Sequence, residues 1–377
     1  MPIYEFGYRP LSESTPRKSS SWIAIGLSAI QINWKSKIAR RLIIGAWAPL
    51  LYFGLVFFAV SKVTETGALE KGSFSYGMVS SIVGKTAALQ LADNPESLRD
   101  PIWTILFFYQ LRVQILAIIL MLAIVGPGLI SDDLRTKAFP LYFAKAVSRW
   151  SYLAGKFTAA AFYVATVSLF PATFLYIISI LFSPDLGTLR QTLPVFLNLL
   201  PVYLVIISFC SCLILALSAL TWSRRYLGFA WISLWILTEA FSGLLGTIDQ
   251  IDLARQNVEN ETEEIAILDS SWSGSISLRK NCLAVGHRIL NMEQKIQSIL
   301  VLLENAPHKK FSSTKLQKGF PKTPSSPPDL GIERFERMLR NLENSQSVAR
   351  SASILAIFAA LSSLFLWRRI GREERGS

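Results

Sequence analysis

Apolar residues gather into six long runs along the chain, at 42–60, 105–130, 157–182, 194–220, 226–247 and 352–367. Each approaches or exceeds the ~20 helical residues needed to cross about 30 Å of hydrocarbon. The runs are continuously apolar and lack the alternation of a barrel strand, so with every backbone polar group to satisfy inside a bilayer they are expected to be helices. The predicted fold class is therefore all-α, a polytopic membrane protein with six transmembrane helices.

Between the runs the pattern changes. Residues 1–41 are polar, and within them 22–34 mixes Ile and Leu with Ser, Gln and Asn and carries Trp at both ends. This reads as an N-terminal interfacial helix, with a partly ordered tail as the alternative. A cleaved leader is not expected, because this polar stretch precedes an apolar run too long for one. Residues 42–247 hold the first five helices, with a connection at 131–156, and 351–377 the sixth helix and a basic tail. The long segment 248–350 has an amphipathic stretch at 283–303, where Ile289, Met292, Ile296, Ile299 and Leu303 recur every three or four positions. It then has a Lys-, Ser- and Pro-rich stretch at 306–330 that reads as a flexible linker. A short apolar pattern follows at Ile332, Phe335, Leu339 and Leu342.

The distribution of charge orients this arrangement. Eighteen Lys and Arg lie in the two tails and in the connections after the second and fourth runs, against five in the connections after the first and third. Basic residues favour the cytoplasmic side, so both termini are expected there and 248–350 outside. Composition agrees with a membrane protein: 51% of residues are hydrophobic and the mean hydropathy is +0.38. The net charge of +12 sits beside the apolar runs with no basic stripe interleaved with aromatics, which argues against nucleic acid as a partner.

Signs of catalysis or metal chemistry are missing. Cys210 and Cys212 fall inside an apolar run, Cys282 stands alone, and His287 and His308 lack ligand-spaced companions, so they read as surface histidines. The nearest approach to a phosphate-binding loop, Gly84-Lys85-Thr86, has Val79 where the first glycine belongs. No cofactor, metal or catalytic residue is expected, and no internal repeat suggests a duplicated carrier.

The connection 131–156, SDDLRTKAFPLYFAKAVSRWSYLAGK, is longer and more varied than a turn between helices requires. Asp132 and Asp133 followed by Arg135 and Lys137 suggest a helix start with its acids at the positive end of the dipole. Phe139, Leu141, Tyr142 and Phe143 would then rest on the membrane or on a partner. Here the chain resembles the permease subunits of type-2 ABC exporters. Those proteins carry an acidic residue after the second span, here Asp133. A basic-Pro-apolar-Ser-Arg element follows, here Lys145-Ala146-Val147-Ser148-Arg149, with Ala146 in place of the usual proline. A Gly-Lys pair, here Gly155-Lys156, then opens the third span. Pro49 in the first span, the six-span count and a Ser-containing stretch at 272–290 add to the resemblance.

The resemblance implies a membrane subunit without its own ATPase, in a bacterial inner membrane, paired with a second permease subunit and docking a separately encoded ABC ATPase through the 131–156 loop. The candidate coupling residues are Asp133, Lys145, Ser148, Arg149, Gly155 and Lys156, which the resemblance implies, together with Asp132, Arg135 and Lys137 of the same charged loop. From the residues themselves, Glu239 stands out as a carboxylate inside the fifth run, where a charge is expensive and faces a partner or water. Arg112 is near enough to a helix end to snorkel outward. The rival readings are a polytopic membrane enzyme acting on lipid, which needs ionisable groups converging at one membrane face, and a membrane anchor or sensor built around 248–350.

Overall fold

The structure is a computed structural model, and it describes residues 21–66, 74–83, 88, 95–144, 147–183, 187–221, 223–259, 273–304, 335–336, 338–339 and 348–375. Among these residues there is no strand. Six helices or helix pairs are long and apolar enough to cross a membrane: Lys37–Lys62, Ser97–Arg135, Arg149–Leu181, Gly187–Ser218, Arg224–Asp249 and Val348–Arg372. They coincide with the six apolar runs but extend beyond most of them, because polar residues at the ends continue the helices. The six long apolar helices point to a multi-pass membrane protein.

The first three spans are each interrupted. The first consists of α2 (Lys37–Trp47) and α3 (Pro49–Thr66), and Pro49, having no N–H to donate, restarts the helix as its first residue. The second is α5 (Pro95–Val125) and α6 (Pro127–Arg135), following the short α4 (Phe74–Val83). Pro127 again opens the new helix, and a Cβ at Gly126 would lie 2.2 Å from Ile214, so the break sits where the fourth span crosses closely. The third is α8 (Arg149–Val167) and α9 (Leu169–Leu181), preceded by the short α7 (Phe139–Ala144). At this break the Ser168 carbonyl accepts from Gln114 Nε2 at 3.0 Å, and Tyr203 donates to Gln114 Oε1. Neighbouring helices thus satisfy the backbone that the break frees, as an apolar surround demands.

The fourth span, α10 (Gly187–Ser218), is the most enclosed, and it keeps Pro194 and Pro201 inside one continuous helix. Next come α11 (Arg224–Glu259), α12 (Ser273–Ile276), α13 (Leu278–Ile289), α14 (Met292–Glu304) and α15 (Val348–Arg375). α5 lies at the centre, touching α2, α3, α8, α10, α11, α13 and α14. In the most apolar 18-residue stretch of each, 22% of the fifth span and 17% of the sixth are buried, against 67% of the fourth. Phe229, Ile236, Phe241, Ile357, Phe358 and Leu361 are among the large apolar residues left exposed. Apolar faces of this extent match lipid or another apolar partner rather than water.

Part of the 248–350 segment packs into the bundle. Residues 273–304 run into it and out again. Ser273 lies beside Gly246, and Ser277 and Arg279 reach Glu239 on α11. Gly286 lies against Phe108, Leu111 and Val202. Lys295 then pairs with Asp100 near the start of α5. Leu111 is eleven residues into α5 from Asp100, or about 16 Å at 1.5 Å per residue, so α13 lies beside the apolar part of the second span. The amphipathic stretch 283–303 is two helices rather than one, broken at Asn291, whose φ of 50° ends α13 in the left-handed region that Asn tolerates. Its apolar face is buried as expected, with Met292, Ile296 and Ile299 at most 1% exposed. The surface it covers belongs to α5, with α13 also against α10, α11 and α15. The 306–330 stretch lies outside the described residues, as do Gly84-Lys85-Thr86, Ile332, Leu342 and His308; Phe335 is buried and Leu339 half-buried.

Candidate functional site

Residues of the 131–156 connection meet at one end of the bundle. α6 carries Asp132 and Asp133 in its last turn, not at a helix start, which corrects the sequence reading of their dipole position. Carboxylates are unfavourable near a helix C-terminus, and here each is matched by a cation from another helix. Asp133 pairs with Lys156 at 2.6 Å, with the two side chains 14% and 7% exposed. It also accepts from the Tyr152 hydroxyl at 2.7 Å. Asp132 pairs with Arg224 at the start of α11. The adjacent acids therefore tie the end of the second span to the third and the fifth.

The chain then turns tightly. Ala138 N–H donates to the Asp133 carbonyl at 2.9 Å and Lys137 N–H to the Leu134 carbonyl at 3.3 Å, the two bonds of a Schellman cap. Lys137, at φ 51°, holds the left-handed position usually given to glycine. α7 follows at once, and its Phe139 and Tyr142 set their rings against Tyr152 at 5.3 and 5.5 Å. Burial, and then the charge on Asp133, raises the Tyr142 hydroxyl above its usual pKa, so it stays neutral. Arg135 and Lys137 are exposed on the outer side of this mount, and Arg135 makes only a loose 3.8 Å pair with Asp132.

Ser148 caps α8 by accepting from Ser151 N–H at 3.2 Å. Arg149 lies 5.4 Å over the Trp367 ring, joining the start of the third span to the end of the sixth. Because α8 begins at Arg149, Gly155 and Lys156 lie in its second turn and do not open it. The role of Gly155 is steric. A Cβ there would come within 2.7 Å of the Trp22 carbonyl on α1 (Ser21–Trp34), and one at Gly26 within 3.1 Å of the Gly155 carbonyl. α1 is a helix docked along the third span, held farther on by Tyr163, whose hydroxyl donates to the Ile30 carbonyl at 2.7 Å. Its remaining apolar residues, Ile23, Leu27 and Ile32 among them, face outward.

Lys145 lies outside the described residues. Asp132, Asp133, Ser148, Arg149, Gly155 and Lys156 are brought to one end of the bundle. Tyr152 and Arg224 were not singled out in the sequence. Tyr152 stands four residues before Lys156, on the same helix face, and Arg224 looked like one more basic anchor. Glu239 belongs elsewhere. It accepts from Arg279 and from Ser277 Oγ, and Lys280 Nζ donates to Ser242 at 2.9 Å. Its partner, which its position in the fifth run could not name, comes from the re-entrant hairpin.

Among the described residues no group of His, Cys, Asp and Glu is placed to hold a metal, and the three cysteines are free thiols. His287 is not the surface residue expected but packs its ring on Phe108, with centroids 4.4 Å apart. Arg112 lies over Tyr109, toward the start of α5, as a snorkelling side chain would. No protein-family model matches the chain, and neither a curated protein nor a solved structure is significantly similar to it.

Proposed function

We propose that this chain is the transmembrane subunit of an ATP-binding-cassette exporter of the type-2 class, working in a bacterial inner membrane with a second permease subunit. A separately encoded ATPase docks on the end of the bundle formed by α1, α6, α7 and the start of α8, which is then the cytoplasmic end. One observation carries this reading. The 131–156 connection is a short helix fixed on a rigid mount, with Asp133, Tyr152 and Lys156 behind it and the cations Arg135 and Lys137 in front. A simple anchor would not need such a mount, whereas a lever that passes motion from an ATPase into the spans would. The same mount joins the second, third and fifth spans, so a push on α7 reaches several helices at once.

A lipid-modifying enzyme is the weaker reading, because the acids Asp132 and Asp133 at this end are held by Arg224 and Lys156. The test reverses charge at the exposed face alone. In the double variant R135E/K137E, stimulation of the ATPase by the permease should fall by an order of magnitude or more while membrane insertion and elution profile stay unchanged. ATPase stimulation equal to that of the unaltered chain would remove the turn between α6 and α7 from the docking surface.

A further inference from the structure

Between α8, α10 and α15 a cleft of about 520 Å3 opens on the outside of the bundle, within the roughly 300–1,000 Å3 typical of small-molecule sites. Leu153, Phe157, Leu215, Leu364 and Leu366 line it, and in its wall Ser363 Oγ lies 3.8 Å from Cys212 Sγ. It starts beside Trp150 and Trp367, whose rings are 4.5 Å apart, and reaches Phe157 seven residues along α8. At 1.5 Å per residue that is about 10 Å, less than the roughly 15 Å of one leaflet's hydrocarbon. Paired tryptophans at the mouth mark the level of the lipid headgroups.

The rim is cationic. Arg149 lies over the Trp367 ring and against Gly371. Arg368 is exposed and stands one helical turn beyond Leu364, on the same face of α15. We propose that this cleft binds an anionic phospholipid, which lays one acyl chain between α8, α10 and α15 and sets its phosphate on Arg149 and Arg368. Charge complementarity selects an anionic headgroup, since basic residues at this level are attracted to anionic lipid. This inference uses the membrane-spanning fold and not the ATPase, so the two stand or fall separately.

The test titrates the delipidated full-length chain in detergent with phosphatidylglycerol or phosphatidylcholine of identical acyl chains, and counts bound lipid by native mass spectrometry. The unaltered chain should retain one phosphatidylglycerol in preference to phosphatidylcholine. R368Q should lower that preference about fivefold, the factor for one basic residue beside an anionic surface. A154F, at an exposed residue of the cleft wall, should weaken both lipids. Equal retention of the two lipids by the unaltered chain would overturn the proposal. So would binding that neither variant alters, or a cleft that is closed by a second copy and retains no lipid. R368Q alters an exposed side chain, so the proposal remains exposed to refutation even if A154F fails to fold.

Discussion

Asp133 and Lys156 form a nearly enclosed ion pair at 2.6 Å, and such a pair is worth less as a source of stability than its removal costs. Taking away one partner leaves the other charged and poorly hydrated, at about 3–5 kcal/mol, whereas replacing both by apolar groups is close to neutral. D133A and K156A should therefore each lower thermal stability sharply, and a D133L/K156M double variant should recover most of the loss. A double variant as unstable as the sum of the singles would show that the two residues act independently. Asp132 and Arg224 should tolerate change better, because the Arg224 side chain is 54% exposed and an exposed pair contributes about 0–1 kcal/mol.

Among the elements, the six spans were legible because a bilayer demands long apolar runs that little else in a sequence imitates. Their breaks were less so. Pro49 and Pro127 mark two of them, but Pro194 and Pro201 sit in an unbroken helix, so proline alone does not locate a break. Asp132 and Asp133 were misplaced at a helix start because acids favour that end, a local rule that Lys156 and Arg224 override from distant sequence. The hairpin at 273–304 was illegible as a re-entrant element. Its amphipathic period is the same whether the apolar face meets the surface of a bundle or its middle, and the Glu239–Arg279 contact that settles the depth spans forty residues. This depth predicts reactivity. Cys282 is 1% exposed, so in the intact chain it should resist a membrane-impermeant maleimide from either side, while a cysteine replacing the exposed Ser298 should react within minutes. Rapid labelling of Cys282 would mean that α13 is not packed among the spans.

For the whole molecule, the fifth and sixth spans leave most of their surface uncovered, and α1, α7 and the ends of α6 and α15 share one end. That division suits a subunit which meets lipid or a second subunit along its flank and a soluble partner at its end. The most direct measurement is capture of the tagged, full-length chain from gently solubilised native membranes, with the co-purifying proteins identified and counted. The account predicts an ABC ATPase at one copy per permease subunit, lost in R135E/K137E while the permease itself is recovered in full. A chain that comes out of its own membrane without any such ATPase, in amounts and form otherwise normal, would contradict it.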